Sequence, residues 1–289
     1  MKLGNREIGE GHPVYMIGEI GLNHNSDLQI VKKLIDATFA CGWDCVKFQK
    51  RNPDVCVPER QKNQPKDTPW GPMTYLEYKH RMEFRKWDYD YIDTYCQAKP
   101  IDWAASVWDR DSLDFMMGYD VPFIKIPSAM LIDTELLSWV AGWRKPIILS
   151  TGMSTVEEID KAVSVLEGVV PGNYILMHCN STYPTPPGEV NLRALTFLKD
   201  RYQCIIGYSG HEQGLEPSVM SVALGASVIE RHITLDHNMW GTDQAASLEI
   251  HAMDMLGKRV KEATLCLGDG VKRITQSEWE IRQKLGVKL

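Results

Sequence analysis

A chain of 289 residues with 44% hydrophobic content is long enough for one large α/β domain or for two smaller ones. Its formal net charge of -6 comes from acidic and basic residues mixed along the chain, so no block of one sign offers a footprint for nucleic acid or an anionic membrane. There is no signal-peptide pattern at the start and no apolar run near the roughly 20 residues of a membrane span, and the scattered cysteines form no CxxC pair. These features read as a cytoplasmic protein with free, mostly buried thiols and a small-molecule partner.

In chain order, an N-terminal extension (1–13) precedes eight apolar, β-branched runs that predict strands at 14–20, 45–49, 103–107, 123–127, 147–150, 174–179, 205–208 and 228–233. Helical periodicity falls between them at 27–41, 86–97, 155–169, 192–201, 215–224 and 248–267. Asn25-Ser26-Asp27 reads as the cap of the first helix, and Ser154 with Glu157 and Glu158 as the cap of the one after the fifth strand. Strands this short and continuously apolar are buried on both faces, as parallel sheets wrapped by helices require. The predicted fold class is therefore α/β, a (β/α)8 TIM barrel filling 1–289 as a single domain. An open doubly wound sheet is the competing arrangement, but the Gly-rich loop that usually follows its first strand is missing here. The long connection at 50–85, rich in Pro, Lys and aromatics, is read as irregular and stands where barrels carry lids. It is either such a lid or a surface insertion.

Catalytic groups of a barrel project from the C-terminal ends of its strands, and polar residues close nearly every predicted strand here. They include Glu19 with Asn23 and His24, Lys47 with Gln49, Ser106, Lys125 with Ser128, Ser150, His178 through Tyr183, Ser209 with His211, and Glu230-Arg231-His232. Lys47 and Lys125 sit inside apolar strands, where an unpaired ammonium is costly. Two inward cations among hydroxyls describe a phosphate or carboxylate site; the structural alternative pairs each lysine with a core carboxylate such as Glu19 or Glu230. His211 and His232 close adjacent strands, so their imidazoles could share a divalent ion with open positions, the pattern of a catalytic metal. A strand-end lysine could instead form a Schiff base, as in aldolases.

Several segments carry a family resemblance: Gly18-Glu19-Ile20-Gly21-Leu22-Asn23-His24, Val46-Lys47-Phe48-Gln49, Lys125-Ile126-Pro127-Ser128, Ser150-Thr151-Gly152-Met153, His178-Cys179-Asn180-Ser181-Thr182-Tyr183-Pro184, Gly207-Tyr208-Ser209-Gly210-His211 and Glu230-Arg231-His232. Taken in order over the whole barrel, the chain resembles the N-acetylneuraminate (sialic acid) synthases and their relatives for other nonulosonic acids. The resemblance implies condensation of phosphoenolpyruvate with the aldehyde of N-acetylmannosamine or a related sugar. It implies that Lys47, Ser106, Lys125, Ser128, Ser150, Ser181 and Ser209 hold phosphoenolpyruvate, that His211 and His232 bind Mn2+ or Mg2+, and that Gln49, Tyr183 and Asp243 contact the sugar. Glu19 resembles the carboxylate that handles a proton or the attacking water. Such enzymes are usually homodimers.

Three departures from the family pattern bear on the sugar. The chain stops at Leu289, where members usually continue into a small antifreeze-like domain that brings an arginine to the N-acetyl group. Ala129-Met130 follow Ser128 where a glutamate is common, and Gly210 stands where an aspartate is frequent, an exchange expected to loosen support of His211. The synthases that use phosphorylated aldehydes would need a further basic site, for which Lys50-Arg51 is one candidate, although exposed basic pairs are usually only solvated. A barrel that has lost catalysis and merely binds a ligand or partner is the non-enzymatic alternative.

Overall fold

The computed structural model describes residues 1–286, so the final three positions of the predicted 1–289 domain lie outside the described residues. Eight parallel strands close into a barrel: β1 (Tyr15–Gly21), β2 (Cys45–Lys50), β3 (Asp102–Val107), β4 (Ile124–Ile126), β5 (Ile147–Ser150), β6 (Tyr174–His178), β7 (Ile205–Gly210) and β8 (Val228–His232). Each strand pairs with the next, and β8 returns to β1 with Glu230 opposite Ile17 and His232 opposite Glu19. The predicted (β/α)8 barrel is thus the observed fold, and the open sheet is excluded.

The two-residue period of the strands decides which side chains enter the barrel. Tyr15, Ile17, Cys45, Ala104, Phe123, Ile148, Ile175, Met177 and Val228 pack together in the interior, whereas Met16, Val46, Phe48, Trp103, Leu149 and Ile229 belong to the larger core between barrel and helices. Inward positions change character along each strand. They are apolar at its start and polar at its end, as in Tyr15-Ile17-Glu19, Cys45-Lys47-Gln49 and Val228-Glu230-His232. The starts close one mouth of the barrel, helped by Leu3 and Ile8 from the stretch predicted as an extension, part of which forms a hairpin of Lys2–Leu3 with Arg6–Glu7.

The outer layer contains α1 (Leu28–Ala40), α2 (Tyr75–Met82), α3 (Lys86–Ala98), α4 (Arg110–Met116), α5 (Thr134–Gly142), α6 (Val156–Val169), α7 (Ala194–Tyr202), α8 (Glu216–Ala223) and α9 (Ile250–Leu267), and α10 (Gln276–Leu285) follows with every residue exposed. Asp27 caps α1 as predicted. The cap of α6 is Thr155 in a reciprocal box with Glu158, because the Ser154 hydroxyl is turned back to the Gly152 carbonyl. The segment 50–85 is not irregular: it contains the turns Pro53–Cys56 and Glu59–Lys62, a short pairing of Pro65–Lys66 with Met73–Thr74, and α2, capped by Thr74 and Glu77. Among the described residues all seven cysteines are free; Cys45, Cys96 and Cys179 are buried and Cys266 is exposed. No described helix is long and apolar enough to cross a membrane.

Candidate active site

The polar strand ends surround one cavity of about 210 Å3. Its walls carry Glu19, Lys47, Gln49, Ser106, Lys125, Ser128, Ser150, Ser181, Tyr183, Ser209, His211 and His232, every predicted site residue except Asp243. Both lysines are buried, and each stands beside a core carboxylate, as the structural alternative expected. Lys47 Nζ lies 2.6 Å from Glu19 Oε2, 3.6 Å from Glu230 Oε1 and 2.9 Å from Ser106 Oγ. Lys125 Nζ donates to Ser150 Oγ at 2.7 Å and lies 3.8 Å from Glu230 Oε1, to which Ser209 also donates at 3.4 Å. The lysines therefore face the cavity with carboxylates already beside them.

The charge states follow from these neighbours. Burial disfavours the Lys47 ammonium, but Glu19 and Glu230 outweigh it and hold its pKa above the ordinary lysine value. For Lys125 burial wins and the pKa is lowered. Burial likewise disfavours charge on Glu230, yet Lys125 and Lys47 keep its carboxyl below the usual range. Glu230 thus holds two cations apart, a role that sequence reasoning saw only as one possible pairing. The signal was available: it stands two residues before His232, on the same inward face.

Beside the lysines, the backbone N–H of Gly152 donates to Ser128 Oγ at 3.1 Å. A Cβ at residue 152 would lie 2.5 Å from Ser181 Oγ, 2.8 Å from Ser128 Oγ and 2.9 Å from Cys179 Sγ, so glycine alone lets these groups form a cradle of hydroxyls and a backbone donor. Ala129 lines the cavity next to it, while Met130 packs against the outer core.

Across the cavity, His211 Nδ1 lies 2.5 Å from the Asn180 carbonyl, which accepts its proton and leaves the Nε2 lone pair to accept from the Tyr183 hydroxyl at 2.8 Å. Burial, reinforced by His232, pushes His211 down to about 3, so its ring is neutral. The His211 and His232 ring centres are 5.6 Å apart. His232 Nδ1 is buried without a hydrogen-bond partner, and the nearest carboxylate oxygen, Asp243 Oδ2, is 4.0 Å away. Asp243, outside the cavity wall, faces this ring. A neutral imidazole and an orphaned buried nitrogen fit two ligands of a divalent ion. No group of three or more His, Cys, Asp or Glu suited to a metal occurs among the described residues, so further positions would be open to substrate or water.

Next to His211 in the chain, Glu212, which the sequence reading left out, anchors a buried network around Arg231. Arg231 points outward between two inward neighbours and is completely buried, with Nη1 3.0 Å from Glu212 Oε1, 2.9 Å from the Gly214 carbonyl and 3.0 Å from Ser218 Oγ. Tyr208 donates to Glu212 Oε2 at 2.8 Å. A Cβ at residue 210 would meet both Glu212 carboxylate oxygens and Tyr208 Cε1 at 2.8 Å. The His211 ring itself is held by the Asn180 carbonyl and the Tyr183 hydroxyl, and Gly210 leaves the neighbouring Glu212 network its space.

At the rim, Lys50 and Arg51 are neither exposed nor free. Glu83 binds both, at 3.3 and 3.2 Å, and the Arg51 guanidinium lies over the Trp108 ring at 4.6 Å and donates to Gln49 Oε1. The other end of that amide donates to Glu19 Oε1 at 3.1 Å, which fixes Gln49 in orientation.

Comparison with known proteins places this architecture. The profile of the NeuB family matches residues 34–272. The chain is 36% identical to the N,N'-diacetyllegionaminic acid synthase of Campylobacter jejuni, over 91% of this chain and 80% of that protein. It is 35% identical to the human N-acetylneuraminate-9-phosphate synthase, over 97% and 79%. The crystal structure of N-acetylneuraminic acid (sialic acid) synthetase from Leptospira borgpetersenii, solved with citrate, superposes with a TM-score of 0.88 at 31% identity, covering 100% of this chain and 98% of that one. With the barrel, the strand-end cavity and these matches in agreement, the chain belongs to the NeuB family and is an N-acetylneuraminate-synthase-like transferase that forms a carbon–carbon bond from phosphoenolpyruvate.

Proposed function

We propose that this enzyme condenses phosphoenolpyruvate with the aldehyde of an N-acetylmannosamine-type sugar to give a nonulosonic acid and phosphate, aided by Mn2+ or Mg2+ held by His211 and His232. The observation that carries the reading is the pairing of a two-lysine, multi-hydroxyl floor with two imidazoles on the facing wall of the same cavity. Lys47 and Lys125 supply charge for phosphate and carboxylate, and Ser106, Ser128, Ser150, Ser181, Ser209 and the Gly152 N–H supply directed hydrogen bonds. Glu19 and Glu230 offset the two lysines, so binding a multiply charged anion here calls for further positive charge. A divalent cation supplies it and, when bound, also polarises the acceptor carbonyl.

The remaining steps fall to side chains. Glu19, held by Lys47 and Gln49, is positioned to accept the proton of the water that adds before phosphate leaves. Burial raises the Tyr183 pKa far above its ordinary value, so its phenol stays protonated and can orient the sugar once it leaves His211. Gln49 and Asp243 flank the route by which the sugar enters. Holding both reactants in one mouth provides the orientation that a two-substrate reaction lacks in water. We further propose a cytoplasmic homodimer.

The test is to supply phosphoenolpyruvate, Mn2+ and a panel of mannosamine-type sugars and follow phosphate release. Absence of turnover with every sugar, together with no binding of phosphoenolpyruvate, defeats the proposal. The lowered pKa of Lys125 favours one rival, a Schiff-base aldolase. Borohydride trapping of pyruvate on that lysine, with full activity in chelator, would decide for it.

A further inference from the structure

The stretch that follows β6 serves both sides of the cavity. The Asn180 carbonyl holds the His211 ring and Tyr183 donates to it, while Ser181 lines the cavity beside Gly152. Cys179, which precedes them, has a single polar contact. Its buried Sγ lies 3.2 Å from Ser128 Oγ, its one side-chain hydrogen-bond partner among the described residues. A thiol that merely filled space would need no such neighbour.

The needs of Ser128 give this contact a meaning. A hydroxyl has one proton and two lone pairs, and the Gly152 N–H, which can only donate, takes one lone pair at 3.1 Å. Two arrangements remain for the thiol: either Ser128 donates to sulfur, or the thiol donates to the second lone pair. In the first, the Ser128 proton is spent inside the protein. In the second, the protein fills both lone pairs and the proton is left for the cavity, which Ser128 lines together with Lys125, Ser150 and Ser181. An anion there decides between them. A hydrogen bond to a charged oxygen is roughly twice as strong as a neutral one and sulfur is a weak acceptor, so the hydroxyl proton turns to the anion and the thiol supplies its own. A Cβ at residue 152 would lie 2.8 Å from Ser128 Oγ and 2.9 Å from Cys179 Sγ, so glycine is what lets amide, hydroxyl and thiol meet.

We infer that Cys179 is a positioning residue for the condensation: with the Gly152 N–H it occupies the lone pairs of Ser128 Oγ and directs that hydroxyl's proton at the anionic part of phosphoenolpyruvate. The inference rests on the reading of this cradle as the phosphoenolpyruvate site. Alanine at position 179 fits the same space but leaves one lone pair unfilled, so the Ser128 hydroxyl is free to rotate and part of its directed bond to the anion is lost. A weak donor suits the task, because it yields the serine proton to the ligand at little cost and takes it back when the ligand leaves.

The experiment is a double-mutant cycle read by calorimetric titration of phosphoenolpyruvate into wild type, Cys179→Ala, Ser128→Ala and the double variant, with Mn2+ present throughout. Cys179→Ala is expected to weaken binding by about two- to tenfold, the worth of a neutral hydrogen bond, and Ser128→Ala by about ten- to a hundredfold, that of a bond to a charged group. In the Ser128→Ala background, adding Cys179→Ala should change nothing, because the thiol acts only through that hydroxyl. Cys179→Ser, which keeps a donor, should restore most of the affinity. In turnover the loss should appear in KM for phosphoenolpyruvate, with KM for the sugar unchanged. Infrared difference spectra of wild type against Cys179→Ser should show the sulfhydryl stretch shifting when phosphoenolpyruvate is added, and a band that stays put overturns the inference even if Cys179→Ala does not fold. Equal weakening by Cys179→Ala with and without Ser128 makes the thiol a space-filling group and overturns it too, as does a Cys179→Ala that binds like wild type. A Ser128→Ala that binds phosphoenolpyruvate as tightly as wild type removes the cradle from the binding site; the wider reading then fails at Ser128, and the inference falls with it.

Discussion

The floor and the rim of this cavity use the same residue type in opposite ways. On the floor, Lys47 on β2 and Lys125 on β4 stand on either side of β3, each beside a carboxylate and a serine. On the rim, Lys66 comes from the short pairing of Pro65–Lys66 with Met73–Thr74 and Lys79 from α2, and among the described residues both rest on aromatic rings with no carboxylate at ion-pair distance. A buried cation is tolerable in either setting only because something offsets its lost hydration: carboxylates beside Lys47 and Lys125 on the floor, and partial exposure among aromatic rings for Lys79. The first arrangement suits groups that every turnover requires.

The largest effect should come from breaking the floor. Lys47→Met leaves Glu19 without its cation and Glu230 with only Lys125, and removing one partner of a buried pair costs about 3–5 kcal/mol. Denaturant unfolding should show a loss of that order, together with disappearance of phosphate release. Adding Glu19→Gln to Lys47→Met should return part of the stability and none of the activity. Should the single variant be as stable as wild type, the floor is not the coupled charge network described here.

Next in size is the facing wall. His232→Ala should reduce Mn2+ affinity by more than the about 10- to 100-fold typical of losing an outer partner of a metal ligand, with unfolding little changed because the nitrogen it removes is already unpaired. Calorimetric titration with Mn2+ decides this, and an unaltered isotherm would remove His232 from the ligand set. A smaller effect is expected behind that wall. Gly210→Ala forces a carbon into the space of the Glu212 carboxylate and Tyr208, and overpacking of this kind costs about 1–3 kcal/mol. Unfolding midpoints matching those of wild type would show that Glu212 can move aside and that its network with Tyr208 and Arg231 is not rigid.

The same contrast explains what could be read from the sequence. The floor was legible because strands impose a two-residue period: once Glu19, Lys47, Lys125 and His232 were placed in apolar runs, their inward direction followed. Even so, the pairing of Lys47 with Glu19 and the central place of Glu230 depend on which strands are neighbours across the closure from β8 to β1, and no single segment carries that information. The role of Gly210 was hidden for a related reason, since the groups that exclude a side chain there, Tyr208 and Glu212, matter only through their contact with Arg231 on β8. The rim was barely legible. Segment 50–85 has no long periodic stretch, its helix α2 spans only eight residues, and the obvious basic pair, Lys50 and Arg51, is tied up by a glutamate more than thirty positions away. The unpaired lysine lies in the helix that sequence reading missed.

The smallest expected effect tests the rim without any substrate. In the folded protein Lys79 titrates near 8, against an ordinary lysine value of about 10.4 in the unfolded chain. Between those values the unfolded state holds a proton that the native state has released, so stability rises with pH across this window; below about 8 both states are protonated and the full penalty of the buried ammonium remains. The groups that set this penalty are Arg51 and Lys66, which add to it, and Asp243 and Glu83, which relieve it. Because the side chain is only partly buried, the rise should amount to about 1–2 kcal/mol, less than the full shift implies. Lys79→Met removes the titrating group, so its unfolding free energy should lack this rise while matching or exceeding that of wild type at pH 7. If wild type and variant follow the same pH dependence from 7 to 10, Lys79 is solvated like any surface lysine, and the distinction between the paired lysines of the floor and the unpaired one of α2 disappears.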